Sequence, residues 1–79
     1  MKQIKLLAKD YIATDKVDLA KHLVIGFDEH GNHWVLIYNN EVLCWQGIFG
    51  ERINAATKTI KIALEDPVDQ IKKIKVFEL

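Results

Sequence analysis

The sequence offers one cysteine (Cys44), one proline, and no excess charge of either sign. A single cysteine closes no disulfide within the chain, which points to a reducing compartment and a cytoplasmic protein. Eleven lysines and arginines balance eleven aspartates and glutamates. Phosphate neutralisation needs a cationic surface, so this balance disfavours a dedicated DNA binder. It also leaves little repulsion between copies of the chain. No apolar run reaches the length of a membrane helix, and the charged start (Lys2, Lys5, Lys9, Asp10) leaves no room for an apolar signal segment. The four glycines form no phosphate loop: Gly47-Ile48-Phe49-Gly50 lacks the spacing and the Lys-Ser/Thr pair. They are expected instead to bend or end a strand.

What is present is a normal globular composition. Nearly half of the 79 residues are apolar, too many for a disordered chain. At this length the expectation is one α+β domain over residues 1–79, with a thin stability margin that tight packing or a partner must supply.

The middle of the chain reads as an antiparallel meander, with strands over about 22–28, 33–38 and 41–46. These runs are short and rich in β-branched and aromatic residues. Asp28-Glu29-His30-Gly31 fits a type I turn closed by a left-handed glycine. Asn39-Asn40 fits a two-residue hairpin turn. These turns set Phe27 opposite His33, Ile25 opposite Val35 and Trp34 opposite Trp45. Alternation then gives two faces. One is aliphatic (Leu23, Ile25, Phe27, Val35, Ile37, Val42, Cys44) and reads as the core. The other carries Trp34, Tyr38 and Trp45 with charges at its rim, among them Asp28 and Glu41.

Both ends are expected to extend the meander. Asp66 as N-cap and Pro67 at the first position suit a short helix over 67–73, leading into a strand over 74–79. A related D-x-V-D stretch at Asp15–Asp18 suggests a helical turn over 15–21. Residues 51–65 fit a helix and a strand almost equally. Gly50 as a boundary tips the reading to one main helix starting near Glu51 and packed on the aliphatic sheet face. The same ambiguity holds over 4–12.

Candidate chemistry is sparse. His30 and His33 flank a tight turn beside Asp28 and Glu29, but no second ligand pair accompanies them, so no metal is expected. Cys44 and His33 fall on one face as a diagonal thiol–imidazole pair, without an orienting third group or an oxyanion site. No cofactor motif occurs. The aromatic face is the most informative feature. Trp and Tyr are enriched at the energetic centres of protein interfaces, and they also stack bases in single-strand binders. Asp28 and Glu41 beside them disfavour phosphate. The sequence therefore reads as a small non-enzymatic protein-interaction module, a regulator or inhibitor that binds a protein partner or a second copy of itself. Trp34, Tyr38, Trp45 and Phe49 are the expected contact residues; the competing reading buries the three sheet aromatics beneath a terminal helix. The alternative is a nucleic-acid-binding accessory protein using the same face. A metal- or thiol-dependent enzyme comes third.

Overall fold

The computed structural model describes residues 3–5 and 11–79, with side chains from residue 13 onward. Two short strands, β1 (Gln3–Lys5) and β2 (Tyr11–Ala13), pair antiparallel and lead into a 3-10 turn at Thr14–Lys16. The expectation for 4–12 otherwise lies outside the described residues. A five-stranded antiparallel sheet follows, in the order β6-β5-β4-β3-β7. Its strands are β3 (His22–Phe27), β4 (His33–Asn39), β5 (Val42–Gly47), β6 (Arg52–Asn54) and β7 (Lys73–Glu78). One short helix, α1 (Ile60–Glu65), precedes β7. None of the described helices is long and apolar enough to cross a membrane.

The first hairpin has the expected register, with Phe27 opposite His33 and Ile25 opposite Val35. The second differs. Its two turn residues are Asn40 and Glu41, both with positive φ (51° and 70°), as a type I′ turn requires. Strand β4 gains one residue, and Asn39 pairs with Val42. Trp45 therefore lies opposite Leu36, and Trp34 lies opposite Gly47 rather than opposite Trp45. The slide is two residues, so side-chain parity is unchanged and both tryptophans still share a face.

Burial of the two faces is the reverse of the expectation. The aromatic face is the core: Val24, Leu36, Leu43, Trp45 and Val76 cluster with Val17, Ala55, Ala63, Leu64 and Ile71. The cover comes from α1 and the irregular segments around it, and it lies on the Trp45 side. The aliphatic face is largely half-exposed, with Leu23, Ile25, Val35 and Ile37 all partly open to solvent. Two causes select this outcome. Trp45 with Val24, Leu36 and Leu43 beside it gives this face a large apolar area to remove from water. Strand β7 also pairs Val76 with Val24 and Ile74 with Gly26, which sends Lys73 and Lys75 to the aliphatic face opposite Phe27 and Ile25. Those ammonium groups need water.

The segments after the meander also differ from expectation. In place of a helix from Glu51, the chain turns back at Gly47–Glu51 and pairs β6 with β5. Ala56 has a φ of 61°, and its N–H donates to Asn54 Oδ1 at 2.7 Å, so the chain leaves the strand there. The helix starts only at Ile60. Residues 67–73 form no helix. Asp66 ends α1, donating its N–H to the Ile62 carbonyl at 2.8 Å, and Pro67 follows as a stop. A turn then closes between Val68 and the Ile71 N–H. The expected turn over 15–21 is present in pieces: the 3-10 turn, then Lys21 and His22 N–H donating to the Asp18 carbonyl. Buried Thr14 donates from its hydroxyl to Glu65, tying the entry segment to α1.

Cys44 is buried on the aliphatic side of β5. Cys44→Ser is expected to cost about 1–3 kcal/mol, because a buried hydroxyl there gains no partner. Thermal melting checks this, and an unchanged midpoint would show that the hydroxyl is accommodated.

Candidate protein-interaction surface

Loops 28–32 and 47–51 emerge at the same end of the sheet, because β4 starts at one and β5 ends at the other. They share one geometry. Asp28 N–H donates to the Asn32 carbonyl at 3.1 Å, and Gly31 N–H donates to the Asp28 carbonyl at 3.0 Å. Correspondingly, Gly47 N–H donates to the Glu51 carbonyl at 2.8 Å, and Gly50 N–H donates to the Gly47 carbonyl at 3.1 Å. Each is a three-residue loop closed by a left-handed glycine, Gly31 at φ 82° and Gly50 at φ 89°.

Each loop is also braced by a carboxylate. Asp28 Oδ1 accepts the N–H groups of His30 (2.9 Å) and Asn32 (2.8 Å). Its Oδ2 accepts Asn32 Nδ2 (2.9 Å) and the indole Trp34 Nε1 (3.3 Å). Glu51 Oε1 accepts the Phe49 N–H at 3.0 Å. Partial loss of water around Asp28 opposes its ionisation. Hydrogen bonds from Asn32, Trp34 and His30 outweigh that and hold its pKa at about 2, below the ordinary 3.8. A depressed carboxylate pKa stabilises the loop above the unfolded value, and that contribution is lost as pH falls through about 2. The His30 and Asn32 amide resonances should therefore titrate with a midpoint of about 2. A midpoint at the ordinary carboxylate value would show that these bonds are not made.

The tips differ in chemistry. The first carries Glu29 and His30, both in water. The second carries Ile48 and Phe49, 79% and 87% exposed. Between the tips lies a cleft of about 340 Å³ lined by Asn32, His33, Trp34, Gly47, Ile48 and Phe49, among others. Trp34 stands opposite Gly47, which has no side chain to cover it. It also borders a second cleft of about 280 Å³, with Asp28, Ile53, Asp69 and Lys72 among its walls.

Of the four contact residues expected from sequence, Trp34 and Phe49 come together in the first cleft. Tyr38 is half-exposed at the opposite end of the sheet, beside Thr14, Lys58 and Ile60. Trp45 is fully buried and packs the core. Ile48 was legible only as Phe49's neighbour; its exposure follows from the tight loop. The thiol–imidazole diagonal is not formed. Cys44 pairs with Ile37, four residues along β4 from His33, a separation of about 13 Å. His33 instead packs its ring at right angles to that of Phe27, with centroids 4.9 Å apart. Among the described residues, no three His, Cys, Asp or Glu side chains gather as they would around a metal ion.

Compared with known proteins, the chain matches no family model, no curated protein and no solved structure.

Proposed function

We propose that this chain is a small non-enzymatic protein-interaction module, a regulator or inhibitor of a protein partner, which grips that partner with the Ile48–Phe49 tip and the Trp34 cleft behind it. The observation that carries this reading is the presentation of two large apolar side chains on a braced loop. Phe49 is 87% exposed, yet its own N–H is held by Glu51 and its loop is closed by Gly50. Holding apolar residues in water is unfavourable, and a preorganised loop lowers the ordering cost of binding. Trp34, with its indole N–H already satisfied by Asp28, supplies the aromatic wall that interface centres favour.

The test is a photo-crosslinking phenylalanine analogue at position 49, in cells that make the protein. One discrete protein adduct is the expected result. A smear of unrelated adducts, or adducts to nucleic acid, would overturn the reading. With that partner in hand, Phe49→Ala should weaken binding by about 2 kcal/mol at an unchanged melting temperature.

A further inference from the structure

We propose that the open face of the sheet is a docking surface for an acidic amphipathic helix of a protein partner. This rests on the reading of the chain as an interaction module, and it supplies the chemistry of what is bound on the sheet face that adjoins the hairpin tip at Ile48.

Charge and width carry the argument. Along the strands of the five-stranded sheet, the described positions on this face include no Asp or Glu. The only ionic side chains among them are Lys73 and Lys75 on β7 and Arg52 on β6, the two outermost strands. The carboxylates of the described residues lie in the loops, in α1, or at Glu78 on the opposite side of β7. A chain with zero net charge is thus locally cationic here. The basic rows stand four strand spacings apart, about 19 Å. Between them β3, β4 and β5 present an apolar band two strand spacings, about 10 Å, wide: half-exposed Ile25 on β3, half-exposed Val35 and Ile37 on β4, and exposed Val42 with buried Cys44 on β5. That width matches an α-helix with its side chains, about 10–12 Å across. A helix with an apolar stripe on the band and carboxylates on its flanks would meet cations on both sides. A shallow hollow of about 260 Å³ lined by Val35, Ile37, Gln46 and Ile48 gives its apolar stripe a seat.

Two other occupants fit less well. A second copy laid face to face brings no carboxylate to these cations, since the face has none. Single-stranded nucleic acid needs rings close enough to stack neighbouring bases. Phe27 and Phe77 are four residues apart along paired strands, about 13 Å. The Phe27 ring is engaged as well, with the His33 ring at right angles against it and Lys75 Nζ above it, 5.8 Å from the centroid.

The experiment uses the full chain, isotope-labelled at Ile and Val methyls, and two helical peptides of about 18 residues, near 27 Å long. Both peptides carry the same leucine stripe, flanked by Glu in one and by Lys in the other. The Glu peptide is expected to shift the Ile25, Val35 and Ile37 methyls and to bind about tenfold tighter than the Lys peptide. Lys73→Glu with Arg52→Glu, both exposed positions, should erase that preference while the circular dichroism spectrum stays unchanged. Equal affinity for the two peptides, or methyls left unmoved by the Glu peptide, would overturn the proposal. So would tighter binding of oligothymidine at the same methyls, or self-association through them. None of these outcomes touches the Phe49 crosslink, so the two readings fail separately.

Discussion

Trp45→Ala is expected to cost about 3–5 kcal/mol of folding stability. The indole has no solvent-accessible surface and lies opposite Leu36 and Ile53, between the sheet and its cover. Its loss forfeits the largest fully buried side chain of the described residues and leaves a cavity that short neighbouring elements cannot close. Total stability of ordinary domains is about 5–15 kcal/mol, and each kcal/mol shifts the midpoint of a domain this small by roughly 4–8 °C. The midpoint should therefore fall by tens of degrees. Trp45→Phe should lose much less, about 1–2 kcal/mol, because Trp45 Nε1 has no hydrogen-bond partner among the described residues and phenylalanine removes that unpaired donor. Chemical denaturation of the two variants checks both values. A Trp45→Ala variant as stable as wild type would mean that the core is elsewhere.

Gly26→Val is expected to cost about 3 kcal/mol for the opposite reason, overpacking. Gly26 sits in β3 on the core face, beneath the tryptophan. A Cβ there would come within 2.9 Å of Ile71 Cγ2 and 2.9 Å of Trp45 Cζ3. Both atoms belong to buried side chains that have no solvent to retreat into. The milder Gly26→Ala should cost about 1–3 kcal/mol. Combined with Ile71→Ala, it should cost less than the sum of the single changes, since one substitution vacates space the other needs. Strict additivity in that double-mutant cycle would show that Gly26 and Ile71 do not share the space.

Those two residues show how the sequence and the tertiary structure divide the work. The meander was legible because its evidence is local. Alternating apolar residues, Asp28 before Gly31, and an asparagine at a hairpin turn each act within a few residues of chain. Even the error at the second turn was small. Moving it from Asn39-Asn40 to Asn40-Glu41 slides the register by two residues and leaves every side chain on its predicted face. The ends carried weaker signals. Asp66-Pro67 carries the local signature of a helix start, but proline also follows helix ends, and the position of α1 makes it a stop.

By itself, the sequence determined that there would be three central antiparallel strands, a first hairpin closed at Gly31, and two faces of different character with Trp34 and Trp45 on the same one. Only the tertiary structure decided which face is buried. That choice depends on a strand about fifty residues downstream of β3, whose alternation of Ile74 and Val76 with Lys73 and Lys75 takes effect once β7 pairs with β3. The same long-range pairing, with the closure of loop 47–51, put Trp45 inside and left Phe49 outside. Burial of an aromatic is set by what lies across from it in space, and a strand's own sequence does not contain its cover.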